Sequence, residues 1–204
     1  MYKGFRAHDL LRIGEDTIRR LEVPEALRDF LRTAPFVVVR RDGCPDGRIP
    51  VGIRGRRRSE RFPVWLSPDE VLEVLTPEAL VASEKCVGAA EAPLRALAQL
   101  RERACGRMSF EWGVIGATGF TLASGVCVLR ESSDLDLLVR CPTPTARTEF
   151  DAWSAWLAEL PCRADTQIET PLGGFALNEF LSSPRVLLKT VGGPILTTNP
   201  WRPE

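Results

Sequence analysis

Apolar positions along this chain switch between a spacing near two and a spacing near 3.6, and the switches mark its elements. Pro24–Arg32 has helical spacing, with Pro24 near the first position where its missing N–H costs nothing. Phe36–Arg41 is a β-branched run closed by the turn residues Asp42-Gly43-Cys44-Pro45-Asp46-Gly47. It is answered by Ile49–Ile53, which predicts a hairpin with a long loop. Ser67-Pro68-Asp69-Glu70 carries a Ser-x-x-Glu capping box ahead of Val71, Leu72, Val74 and Leu75 and so predicts a helix there. Thr76-Pro77-Glu78 begins a second helix in the same way. The small, proline-terminated run Val87–Pro93 is the expected seam. Beyond it Leu94, Leu97, Leu100 and Ala104 line one face of a helix over Pro93–Cys105.

The last hundred residues alternate differently. Strands are expected at Phe110–Ile115, Asp134–Arg140 and Cys162–Glu169. The helix Thr145–Leu160 falls between the last two, with Phe150, Trp153 and Leu157 at helical spacing. After Gly173-Gly174 come a short helix (Leu177–Leu181), a strand (Val186–Thr190), a Gly192-Gly193 turn and a strand (Ile195–Thr198). The fold class is α+β: a small N-terminal α/β domain over residues 1–88, then a mixed sheet flanked by helices over 89–204.

Composition narrows the chemistry. The 204 residues carry 27 Lys+Arg against 27 Asp+Glu, which excludes a globally basic nucleic-acid binder. His8 is the only histidine, so sites with several imidazoles are excluded. Six cysteines lie without a C-x-x-C pair, Met1–Arg12 has no sustained apolar core, and reduced thiols in a cytoplasm are the expectation. Trp112–Leu129 is uncharged but interrupted by glycine, threonine and serine at every turn, which rules against a membrane span. Lysine is nearly absent: only Lys3, Lys85 and Lys189 interrupt the arginines. A GC-rich genome produces such a bias, and so does a demand for forked phosphate contacts.

The most informative string is Asp134-Leu135-Asp136-Leu137-Leu138-Val139. On a strand, Asp134 and Asp136 share one face at a rise of about 6.6–6.8 Å, and two carboxylates so placed suit a hard cation. Two solvated acids at a strand start are the plainer reading. Asp165 lies in a second alternating row with Arg163, Gln167 and Glu169, and it becomes a third carboxylate if the two strands are neighbours. Gly116-Ala117-Thr118-Gly119 follows a strand and offers backbone N–H groups to a phosphate, or simply turns the chain.

In this order, the glycine turn, the D-x-D strand and the strand with one acid resemble the polymerase-β type of nucleotidyltransferase. Ala117 stands where that motif usually has Gly or Ser. A closer resemblance runs nearly end to end. It is carried by His8-Asp9-Leu10-Leu11, by Pro50-Val51-Gly52-Ile53-Arg54-Gly55 with Arg58 and Arg61, and by Trp112-Gly113 through Gly116, Gly119, Phe120 and Gly125. It continues in Ser133-Asp134-Leu135-Asp136-Leu137, in Asp165-x-Gln167-x-Glu169-Thr170-Pro171-x-Gly173-Gly174, and in Val186-Leu187-Leu188-Lys189-Thr190 with Asn199-Pro200-Trp201. These strings resemble the phosphoribosyl-dephospho-CoA transferases of malonate decarboxylase, its holo-acyl-carrier-protein synthases.

The resemblance implies transfer of a prosthetic group from 2′-(5″-triphosphoribosyl)-3′-dephospho-CoA to a serine of the apo acyl carrier protein, with release of pyrophosphate. It implies two Mg²⁺ ions held by Asp134, Asp136 and Asp165, and a phosphate cradle at Gly116, Ala117, Thr118 and Gly119 beside Ser133. His8 reads as structural. Arg40–Arg61 holds eight arginines against three acids. If Arg54, Arg58 and Arg61 form one helical face, they meet substrate phosphates or an acidic carrier; otherwise they are a solvated loop. Lys189 is either a contact to the leaving pyrophosphate or a surface lysine. Two other readings stay open: a nucleotidyltransferase using ATP on another hydroxyl, and a nucleic-acid binder using Arg54–Arg61. No nucleic acid or membrane partner is expected on the main reading.

Overall fold

The computed structural model describes residues 4–43, 46–56, 60–83 and 91–202. Arg58 and most of the expected seam at 87–93 lie outside them, as do Cys44 and Cys86.

The N-terminal part is an antiparallel sheet of β1 (Leu10–Ile13), β2 (Phe36–Val39), β3 (Ile49–Arg54), β4 (Arg61–Leu66) and β5 (Val71–Leu75), in the order β4-β3-β2-β1-β5. The predicted hairpin is present as β2–β3, with Val38 opposite Gly52. The helix expected after Ser67 is not. Its capping box forms but closes only a 3-10 turn at Pro68–Glu70, and the chain then extends as β5. Pairing with β1, Leu11 opposite Val74 and Leu10 opposite Leu75, supplies the backbone partners that a helix would have made internally. Local capping was outweighed by an open strand edge.

Alternation along these strands gives the sheet two apolar faces. Leu11, Val37, Val39, Val51 and Ile53 pack with α1 (Glu15–Arg20) and α2 (Glu25–Thr33). Leu10 and Phe36 on the opposite face join the core of the C-terminal part. The centre of the sheet, at β1 and β2, is therefore a middle layer covered from both sides, while the edge strands β4 and β5 keep exposed positions such as Trp65 and Leu72.

The C-terminal sheet has the order β11-β10-β9-β8-β7-β6. Its strands are β6 (Glu111–Val114), β7 (Leu135–Arg140), β8 (Ala164–Glu169), β9 (Gly174–Ala176), β10 (Val186–Thr190) and β11 (Gly193–Thr197). All pairs are antiparallel except β7–β8, which α6 (Arg147–Ala158) connects as a parallel crossover. Leu135, Leu137, Val139 and Ile168 face the core, where Trp153 of α6 donates a 3.0 Å hydrogen bond to the buried Thr166 hydroxyl.

Four further helices lie among the described residues: α3 (Pro77–Val81), α4 (Ala92–Ala104), α5 (Gly116–Ser124) and, after β9, α7 (Leu177–Ser182). The uncharged stretch around Gly116 proves to be the buried helix α5, and among the described residues no helix is long and apolar enough to cross a membrane. Phe120 of α5 stacks on Phe30 of α2 with centroids 6.0 Å apart, which joins the two sheets through one core.

Candidate active site

The opposite face of the C-terminal sheet is polar. Side-chain alternation puts Asp136, Leu138 and Arg140 of β7 beside Asp165, Gln167 and Glu169 of β8, and the parallel register pairs them one to one. Asp136 thus stands directly opposite Asp165, on backbones about 4.8 Å apart. Both carboxylates are half-buried, as is Asp134 one residue ahead of β7.

The structure also brings Gly116 to this pair. Gly116 has φ +66°, and a Cβ there would overlap the Asp136 carboxylate. The first turn of α5 therefore begins against that acid, with no side-chain cap and no acidic residue of its own. Its leading N–H groups have no intrahelical partners, as at any helix start. The two glycines differ in what they do. Gly116 opens the approach to Asp136, whereas a Cβ at Gly119 would meet the Val114 carbonyl at 2.7 Å, so Gly119 serves packing. Ala117 is half-buried beside Gly116. Thr118 is fully buried, and its hydroxyl has no hydrogen-bond partner among the described residues. Ser133 closes a local turn, its Oγ accepting from the Arg130 N–H at 2.9 Å. Asp165 accepts from Asn178 Nδ2 at 3.3 Å and pairs with Arg163 at 2.8 Å.

Among the described residues no three His, Cys, Asp or Glu side chains form a ready-made metal cage. The donor set nonetheless fits Mg²⁺, which is commonly held by one or two carboxylates with substrate phosphates completing the shell. Asp136 opposite Asp165, with a glycine where any side chain would fill the space, leaves room for those phosphates.

The arginines are arranged differently from the expected helical face. Arg54 ends β3 and Arg61 begins β4, directly opposite each other across a hairpin. A two-strand ladder replaces the i, i+4, i+7 face, because the flanking Ile53 and Val64 are drawn into the inner core. The Arg54 guanidinium lies over the Phe120 ring of α5 at 5.6 Å, and Arg56 over Phe30 at 5.7 Å, so both cover the aromatic stack joining the sheets. Arg61 is exposed. Lys189 pairs with Gly174, which pairs with Glu169. That places it level with Glu169, four residues along β8 from Asp165 and two strands away.

The rest of the polar face is clamped by the N-terminal part. His8 Nε2 lies 2.7 Å from Gln167 Nε2 and 3.4 Å from Glu169 Oε1, and Arg41 pairs with the same carboxylate. Burial alone would raise Glu169, but the hydrogen bond from His8 and the charge of Arg41 together outweigh it and hold the group at about 2. His8 adopts φ 74°, the one positive φ outside glycine among the described residues. Next to this cluster, Arg140 pairs with Asp9 and Glu78. Burial raises Asp9 despite its hydrogen bond from Arg6 N–H. The clamp was not among the expected site residues, although the lone histidine and the polar alternation of Gln167 and Glu169 were visible.

Beyond the clamp, at the C-terminal ends of β7 and β8, a cavity of about 950 Å³ opens between the two parts. Asp134, Asp136 and Asp165 do not line it.

The family of the chain is settled by comparison. Residues 6–77 match the model described as phosphoribosyl-dephospho-CoA transferase MdcG N-terminal domain, and residues 79–200 match that of the C-terminal domain. The chain belongs to the phosphoribosyl-dephospho-CoA transferase family. A transferase of that name from Klebsiella pneumoniae (strain 342) is 42% identical over 98% of this chain and 97% of its own length. Another from Azotobacter vinelandii is 42% identical over 96% and 93%, and one from Pseudomonas fluorescens is 38% identical over 97% and 95%. No solved structure matches the chain significantly. As a member of this transferase family it is an enzyme, and the arrangement of Asp136, Asp165 and Gly116 is the part of the transferase best suited to phosphoryl chemistry.

Proposed function

We propose that this chain carries out a nucleotidyltransferase-type reaction at the Asp136–Asp165 end of its C-terminal sheet. The donor is 2′-(5″-triphosphoribosyl)-3′-dephospho-CoA, and the acceptor is a serine of the apo acyl carrier protein of malonate decarboxylase. The serine oxygen forms a bond to the α-phosphorus, the bond from that phosphorus to the bridging oxygen breaks, and pyrophosphate leaves. The serine proton passes to Asp165 or to water beside it. The register that sets Asp136 against Asp165 next to a side-chain-free Gly116 carries this reading.

Each residue has a distinct task. Asp134, Asp136 and Asp165 would hold Mg²⁺, which supplies charge neutralisation on the attacking and leaving oxygens. The N–H groups at Gly116, Ala117 and Thr118 receive the β and γ phosphates, where a helix start favours negative charge. Arg54 and Arg61, at the mouth of the β3–β4 hairpin, meet the donor's phosphates or an acidic carrier surface. A cytoplasmic setting is part of the proposal and agrees with Cys105, Cys141 and Cys162 being free thiols.

Intact-mass spectrometry of apo carrier protein incubated with the enzyme, Mg²⁺ and donor tests the reading. A gain equal to the phosphoribosyl-dephospho-CoA group is expected. No gain with this donor, but pyrophosphate release from ATP and another hydroxyl acceptor, would contradict it.

A further inference from the structure

The cavity at the seam lies on the same strands as the acid pair, yet at their far ends. From Asp136 to Arg140 on β7, and from Asp165 to Glu169 on β8, is four residues, or about 13 Å of strand. Its volume of about 950 Å³ is at the upper end of the roughly 300–1,000 Å³ common for small-molecule sites.

Its chemistry is that of an apolar site and not of a phosphate site. Each arginine on its wall already has a carboxylate: Arg40 with Asp42, Arg41 with Glu169, Arg140 with Asp9 and Glu78, and Arg6 with Glu78. Glu149 in turn accepts from the N–H and hydroxyl of Ser109. A polyanion entering here would have to displace these pairs. What remains for a ligand is the surface of Pro144, Ala146, Leu172 and Val191, over a floor that includes the buried Val39 and Phe110, with the Thr143 hydroxyl beside it. Leu172 and Val191 are 43% and 61% exposed, so this apolar wall is accessible.

We propose that this cavity holds the pantetheine arm of the donor. The assignment rests on the proposed reaction at the acid pair. In that donor the arm carries no phosphate, joins apolar methyl and methylene groups to amides, and is separated from the reacting phosphorus by two riboses and a diphosphate. A site for it must therefore be apolar, nearly neutral and remote from the acid pair, as this cavity is.

The test compares two donors on the full-length enzyme: the complete one, and one cut back to 2′-(5″-triphosphoribosyl)-ADP, which keeps both phosphates of the diphosphate and lacks only pantetheine. Ala146→Trp fills the cavity and Leu172→Asp makes its wall polar. Both positions are exposed, and thermal melts confirm that the variants fold. Each variant is expected to raise KM for the complete donor tenfold or more with kcat within twofold, and to leave KM for the truncated donor as in the unaltered enzyme. An active enzyme whose variants leave both KM values unchanged, or shift both equally, overturns the cavity assignment alone. No transfer from either donor by the unaltered enzyme overturns the functional reading and this assignment with it.

Discussion

Glu169 is held ionised in a nearly closed site, 9% exposed, by Arg41 and His8 from the other part of the chain. Its folded value of about 2 lies below the ordinary 4.5, so the ionised form is favoured in the native state. The stabilisation is fully present above about pH 4.5 and is lost as pH falls toward 2, and it is on the order of 3 kcal/mol. Acid titration of the folded protein followed by circular dichroism is expected to show this loss. In Glu169→Gln it is expected to be absent, with a Tm already lowered at pH 7 by the Arg41 charge left unpaired, a cost of about 3 kcal/mol. A second residue makes the opposite case. Removing the Thr118 hydroxyl, which has no partner among the described residues, as Thr118→Val is expected to leave stability unchanged or raise it by about 1 kcal/mol. Transfer should persist, because on the proposed reading that position gives the donor only its backbone N–H. Differential scanning calorimetry and a transfer assay check both halves.

At the scale of elements, α5 and the β3–β4 hairpin carry the residues assigned to the proposed site beyond the acid pair. Gly116→Ala must place a Cβ on Asp136 at φ +66°, and is expected to abolish most transfer while costing about 1–2 kcal/mol of stability. Gly119→Ala, whose clash is with backbone inside the core, is expected to lower Tm more than Gly116→Ala does. In the hairpin, Arg54→Ala uncovers Phe120 and should destabilise, whereas exposed Arg61→Ala should leave stability within about 0.5 kcal/mol of wild type and alter only transfer. Guanidinium unfolding curves separate the two. Much of this scale was legible in advance. Strand periodicity located β7 and β8, so their acids could be set on one face. The Ser67 capping box misled, since a cap specifies where a turn begins and not whether a strand edge will claim the residues after it. The arginine hairpin misled for a related reason: charge spacing is compatible with helix or strand until the apolar partners on either side are known.

Across the whole molecule, the two parts share an apolar core, and the polar face of the C-terminal sheet runs from the acid pair at one end through the His8–Gln167–Glu169–Arg41 clamp to the cavity at the other. The acid end was visible in sequence because its residues lie on adjacent elements of one crossover. The clamp was not, because Arg41 and Glu169 are 128 positions apart and nothing local in either string points to the other. Transfer at the acid end is the central claim. Its most direct test is the rate of mass gain on apo carrier protein with donor and Mg²⁺, comparing the unaltered enzyme with Asp136→Asn and Asp165→Asn. Both variants are expected to stay folded and to lose on the order of a hundredfold or more in rate. Full-rate transfer by either variant would contradict chemistry at this pair.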